Sequence, residues 1–87
     1  MGSLGEVELE RGNLDLAQQY LKDAEHRFKT LGALSGIAEV NYRLMQLEAK
    51  RGKPTLAQQH YEIAHQLFTQ LGAKKDVEKI EKQWTQY

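Results

Sequence analysis

The chain has no cysteine, a single proline, no net charge and no long apolar run. Without cysteine there is no disulfide, no thiolate metal site and no cysteine nucleophile, which disfavours a small secreted scaffold and makes the cytoplasm the expected compartment. Twelve Lys and Arg balance twelve Asp and Glu, so no long-range field draws the chain to nucleic acid or to an anionic membrane. No stretch approaches the roughly 18 apolar residues of a spanning helix, and no charged-then-apolar signal opens the chain. Alternating β-branched runs are missing as well, which leaves strand pairing without candidates. Partners are therefore expected to be chosen by shape and local charge.

What is present is an ordinary globular composition. The chain has 87 residues, 40% hydrophobic and 28% charged, with a mean hydropathy of -0.67. A domain this small buries about 60% of its unfolded surface and builds one modest core. The opening Met1-Gly2-Ser3 does not fit a myristoylation motif, because Glu6 stands where that motif takes Ser or Thr. It reads instead as a cloning remnant on an excised fragment.

The most specific feature is an internal repeat. Sliding the sequence by 40 residues pairs Leu4–Leu44 with Leu44–Trp84, and thirteen of the forty-one pairs are identical; chance gives about two or three. The matches are ordered: Glu8 with Glu48, Arg11-Gly12 with Arg51-Gly52, Leu16-Ala17-Gln18-Gln19 with Leu56-Ala57-Gln58-Gln59. Ala24 then pairs with Ala64, Phe28 with Phe68, and Leu31-Gly32-Ala33 with Leu71-Gly72-Ala73.

Within each copy the apolar spacing is helical. Leu16, Ala17, Tyr20, Leu21, Ala24, Phe28 and Leu31 recur at three- and four-residue steps, as do Leu56, Ala57, Tyr61, Ala64, Phe68 and Leu71. Two long helices are expected near 14–31 and 54–71, each closed by a glycine able to adopt the left-handed conformation. Pro54 suits a first helical position, and Asn13 suits the equivalent cap. Between them Ile37, Val40, Leu44 and Leu47 define a medium helix over about 36–51, stopped by Gly52. Leu4 and Val7 remain of a preceding stub, while Val77, Ile80 and Trp84, with Tyr87 one turn on, define a final helix. Short turns make successive helices antiparallel, and identical units stack by a repeated rotation. The expected fold is all-α, a right-handed α-solenoid fragment of two helical hairpins plus a C-terminal capping helix. It forms one domain over 1–87, divided into a first repeat (1–33), a second (34–73) and the cap (74–87).

The spacing Gly12, Ala17, Leu21, Ala24 and its copy Gly52, Ala57, Tyr61, Ala64 resembles the tetratricopeptide repeat over nearly the whole chain. The alanines have a physical role, since a small side chain lets two helices approach closely and a larger one wedges them apart. The period of 40 exceeds the family's 34, and Phe-x-x-Leu-Gly-Ala replaces the proline that usually ends the second helix. Met45 stands where the family often has a small residue. The longer form is similar to repeats of bacterial signalling proteins, regulatory ATPases and transcriptional regulators.

Catalytic and metal chemistry find little support. His60 and His65 are five apart, a spacing that does not share a helix face, and His26 is alone, so the histidines read as solvated or packing residues. Glu6, Glu8 and Glu10, like Asp76, Glu78 and Glu81, read as solvated helix faces rather than acid-base pairs. Phosphate loops, nucleophile elbows and zinc motifs are absent from the sequence. Lys74, Lys75, Lys79 and Lys82 are interleaved with acids and form no phosphate-tracking stripe. The expectation is a non-enzyme with no cofactor, no metal and no nucleic-acid or membrane partner. Trp84, at the repeat position of Leu44, is expected to pack on the 54–71 helix.

The resemblance implies a concave face lined by the first helix of each unit. It assigns partner contacts to Glu39, Tyr42, Arg43, Gln46 and Lys50, and to Lys79, Lys82, Gln83 and Gln86 of the last helix, with Glu6 and Glu10 on the stub. Tyr42 and Arg43 are the expected anchors, because aromatics and arginines dominate binding hot spots. The partner is a protein or peptide segment. Chaperone-tail binding is not expected, since the stub offers Glu6 and Glu10 in place of a carboxylate-holding set. Uncovered apolar ends also point to a homodimer, and to the alternative of a regulatory or self-association segment of a bacterial ATPase or signalling regulator.

Overall fold

The computed structural model describes residues 14–86 as four α-helices: α1 (Leu14–Leu31), α2 (Leu34–Lys50), α3 (Pro54–Gln70) and α4 (Lys74–Trp84). No strand occurs among the described residues. The expected boundaries of α1 and α3 hold to within a residue, while α2 begins two residues earlier than its apolar stripe indicates. The stub at Leu4 and Val7 and the cap at Asn13 lie outside the described residues, as does Tyr87.

One device makes all three turns. Gly32, Gly52 and Gly72 have φ of 69°, 73° and 72°, a left-handed conformation in which a side chain costs about 1–2 kcal/mol. Around the first, the Ala33 N–H donates to the Phe28 carbonyl at 2.9 Å and the Gly32 N–H to the Lys29 carbonyl at 3.2 Å. The same crossed pair recurs from Lys53 to Glu48 and Gly52 to Ala49, and from Ala73 to Phe68 and Gly72 to Thr69. These bonds satisfy carbonyls that a helix end otherwise leaves open. The string Phe-x-x-Leu-Gly-Ala is thus a turn written in sequence. Phe lends its carbonyl, Leu caps, Gly reverses the chain, and the Ala N–H closes the ring. Pro54 takes the first position of α3, where its missing N–H costs nothing.

The turns fold the helices back on one another, and α2 becomes the element buried from two sides. Toward α1, Val40, Leu44 and Leu47 meet Ala17, Leu21 and Ala24, with Leu14 and Phe28 at the edge. Toward α3, Ala38, Tyr42 and Met45 join Ala57, Ala64 and Phe68, and Ile80 of α4 enters the same cluster. Met45, where the resemblance raises the question of a small residue, is fully buried. The alanines fill equivalent places in the two copies: Ala17 and Ala57 are 0% and 1% exposed. Where Leu21 and Leu44 pack in the first copy, Tyr61 and Trp84 stack in the second, with ring centroids 4.8 Å apart. Trp84 packs on α3 as its repeat position implies.

Three members of the apolar stripes are exposed. Leu31 is 78% exposed, Leu56 38% and Leu71 43%. Leu31 and Leu71 stand at the tips of the glycine turns, where helical phase alone does not bury them. Leu56 lies in the first turn of α3, one residue away from the inward-facing Ala57.

Gly36 has a different task from the turn glycines. A Cβ at this position of α2 would lie 2.5 Å from Cδ1 of Phe28, so the absence of a side chain lets the ring rest on the helix backbone. Gly36→Ala is therefore expected to destabilise, although alanine is the better helix former by about 1 kcal/mol; a melting temperature above that of the parent would contradict this contact. Phe68, 5% exposed, is expected to cost about 3–5 kcal/mol when replaced by alanine. Chemical denaturation measures the loss, and an unchanged midpoint would remove Phe68 from the core.

Candidate functional site

Two faces of α2 are packed, and a third stays open. Glu39, Arg43, Gln46 and Lys50 follow one another at three- and four-residue steps along it. Glu39, Arg43 and Gln46 are half-buried and Lys50 is exposed. Arg43 Nη2 pairs with Glu39 Oε1 at 3.2 Å, one turn back on the same helix. The repeat-equivalent residues of α4 include Lys79, exposed, and Gln83, half-buried, with Gln86 exposed beyond the helix end.

Tyr42 is not an exposed anchor. The residue is 5% exposed and belongs to the α2–α3 cluster, while Lys79 Nζ lies 4.9 Å from the ring centroid and covers it from α4. Position 42 falls on the side of α2 that faces α3, and an aromatic there gains more from burial than from projecting into water. The tyrosine thus ties α4 to α2 through a cation-π contact.

Lys82 occupies the copy's equivalent of Tyr42. The residues Glu78, Lys82 and Thr85, all exposed, stand where α2 carries Ala38, Tyr42 and Met45. The outward side of α4 is therefore polar where that of α2 is apolar. This corrects the expectation of an apolar C-terminal end. What apolar surface remains there is a notch of about 310 Å³ between Phe68, Ala73 and Val77, rimmed by Lys74 and Glu78.

The sequence reading missed a polar junction on the opposite side of α2. Asn41 is 0% exposed and lies among three helices. Its Nδ2 donates to Glu25 Oε2 of α1 at 2.9 Å and to the Ile37 carbonyl at 2.8 Å, and its Oδ1 faces His60 Nδ1 of α3 at 2.9 Å. With the amide so oriented, His60 Nδ1 carries the hydrogen and donates it. Burial, and then the nearby Lys22, hold the His60 pKa below its usual 6.5, while Glu25 and Glu48 act in the opposite sense. Glu48 is 1% exposed; Gln18 Nε2 donates to its Oε1 at 3.5 Å, and its Oε2 has no hydrogen-bond partner among the described residues. Gln18 in turn accepts from Arg51 at 2.8 Å, and Arg51 reaches Asp15 at 3.4 Å.

The repeat reuses this geometry with other chemistry. The counterparts of Glu25 and Asn41 are His65 and Glu81, and they too meet across two helices, with His65 Nε2 3.1 Å from Glu81 Oε2. Beside them burial, and then the Glu81 carboxylate, push the Tyr61 phenol up from its usual pKa. A signal for both pairs was present in the alignment: each joins positions sixteen apart across a glycine turn. His26 is exposed. No group of three or more potential metal ligands occurs among the described residues, and no described helix is long and apolar enough to cross a membrane.

Comparison with known proteins finds no matching family model, no matching curated protein and no matching solved structure. Two features stand out in the chain's chemistry: an open mixed-charge stripe on a helix locked in place from behind, and a polar junction holding three helices together.

Replacing Asn41 with alanine leaves Glu25 and His60 without their shared partner and opens a gap between helices. Unpaired buried polar groups cost about 1–3 kcal/mol each, so a loss of at least that size is expected in thermal or chemical unfolding. Parental stability in Asn41→Ala would show the junction to be hydrated and unimportant.

Proposed function

We propose that this chain is a tetratricopeptide-like α-solenoid fragment that binds a protein or peptide segment along the open face of α2 and α4. The observation that carries the reading is the contrast on α2: eight of its residues are buried against its neighbours, yet the stripe Glu39, Arg43, Gln46 and Lys50 is polar and accessible. A helix held this firmly presents its free side with little conformational entropy left to lose, which favours recognition. The three like turns and the recurrence of inter-helix pairs at a 40-residue offset support the solenoid arrangement. The polar outward side of α4 supports its role as a cap.

In this reading Arg43, Gln46, Lys50, Lys79 and Gln83 make the contacts, Glu39 sets the orientation of Arg43, and Tyr42 acts from within by positioning Lys79. The function is non-catalytic recognition. A second reading, self-association within a larger regulator, is favoured by one observation: Leu31, Leu34 and Leu71 are exposed at the turn tips.

The test is Arg43→Glu. It reverses a partly exposed charge without removing core atoms, so folding is expected to survive, while partner affinity falls by about tenfold or more, the effect of some 1.4 kcal/mol. A peptide array scanned with parent and variant measures it. Equal affinity of the two proteins would overturn the face assignment, and association of the chain only with itself, seen by sedimentation at millimolar concentration, would favour the second reading.

A further inference from the structure

We infer that the Glu25–Asn41–His60 junction is an acid-sensitive latch that fixes α1 against the α2–α3 hairpin. The proposal does not depend on the partner-binding reading.

The geometry carries it. Asn41 is the middle of a relay that begins on α1 and ends on α3, and every bond in it is 2.9 Å or shorter. Hydrophobic contact between α1 and α2 is a row of alanine and aliphatic side chains around Leu21 and Leu44, with the Phe28 ring seated on Gly36 at the turn end. The relay reaches past this row and brings α3 into the tie. Its terminal member, His60, is the one group of the three that changes charge near neutrality.

The groups that face His60 decide what a proton does there. From α1 come Lys22 and Glu25, and from α2 come Asn41 and Glu48. Nδ1 already holds a hydrogen for Asn41, so an added proton goes to Nε2 and creates a charge in a partly desolvated place beside Lys22. Desolvation is the largest influence and Lys22 the next, and both oppose the charge; the two carboxylates favour it and do not prevail. The folded state therefore prefers the neutral ring. Since its pKa lies below the 6.5 of the unfolded chain, the stability from this group is complete above about 6.5. It declines as pH falls below that value and is gone below the folded-state pKa, because the unfolded chain binds the proton first. In the folded state, protonation at Nε2 leaves the Nδ1–H bond to Asn41 in place, and it is the lost hydration of the new cation and its repulsion from Lys22 of α1 that loosen α1 from the hairpin.

NMR on the full chain tests this. The Hε1 resonances of the three histidines are followed between about pH 7.5 and 5, together with the amides of Leu21 and Ala24 on α1. The expected result is a His60 midpoint below 6.5, with the α1 amides following that midpoint and not that of exposed His26. H60Q keeps a donor for Asn41 and cannot charge, so its α1 amides should hold their positions over the same range. K22Q changes an exposed residue, leaves the core intact and removes a repulsion, so it should move the His60 midpoint upward. A His60 midpoint at or above 6.5, α1 amides that ignore it, or an H60Q protein with the parental acid response would each overturn the latch. Should H60Q fail to fold, an unshifted midpoint in K22Q decides against it.

Discussion

The close approach of α2 to helices on both sides is the constraint from which the remaining structure follows. It depends on small residues at the crossing points, Ala17 and Ala24 in α1, Ala57 and Ala64 in α3, and Ala38 in α2, all of them almost wholly removed from solvent. With so little side chain between backbones, the helices cannot be separated by a methylene without opening voids along their length. The turns are subordinate to this. A two- or three-residue connection reversed by a left-handed glycine is the shortest path that brings the next helix back at contact distance, and the described residues use it three times. Gly36 extends the same logic inside a helix, where Phe28 occupies the space that a side chain would need.

A helix enclosed in this way has consequences at its polar positions. Seen along α2, Asn41 and Glu48 point into the packed interior while Glu39, Arg43, Gln46 and Lys50 point out, and the two sets differ little in composition. Their different fates arise from helical phase. Inward polar groups must find partners in protein, and Asn41 does so completely enough to bind three helices. Outward ones pair along the helix surface, as Arg43 does with Glu39. The same helix is thereby fixed from behind and open in front.

Much of this was legible in the sequence, and the limits are instructive. Phe28, Gly32 and Ala33 with their copies at 68, 72 and 73 state the turn outright, because one backbone conformation accounts for all three residue types. Ala17 and Ala57 announce close packing for the same reason. Tyr42 was misjudged because its repeat position alone says nothing about which flank of α2 faces α3, and an aromatic is compatible with either a hot spot or a core. Leu31, Leu56 and Leu71 have the correct periodicity, yet at a helix terminus periodicity ceases to guarantee a neighbour. The polar junction escaped detection for a further reason. Glu25, Asn41 and His60 are separated by sixteen and nineteen residues, and nothing in their local surroundings distinguishes them from solvated residues until the turns bring them together.

Comparison of the two copies indicates why such a junction exists at one interface only. At the second interface the pair His65 and Glu81 is accessible to water, and the adjoining contact is an aromatic stack of Tyr61 on Trp84, a geometry that fixes orientation by the shape of two rings. At the first interface the corresponding residues are Leu21 and Leu44, which are permissive about angle: aliphatic side chains pack nearly as well after a small rotation. A row of alanines and leucines therefore sets how near α1 comes, and the Phe28 ring on Gly36 pins the interface only at its turn end. A buried amide that must satisfy a carboxylate on one helix and an imidazole on another tolerates no such slack, because a displacement of an ångström breaks bonds that water cannot replace. On this argument the first interface uses hydrogen bonds to supply the angular definition that the second obtains from stacked rings, and a half-buried titratable residue stands at its edge as a consequence.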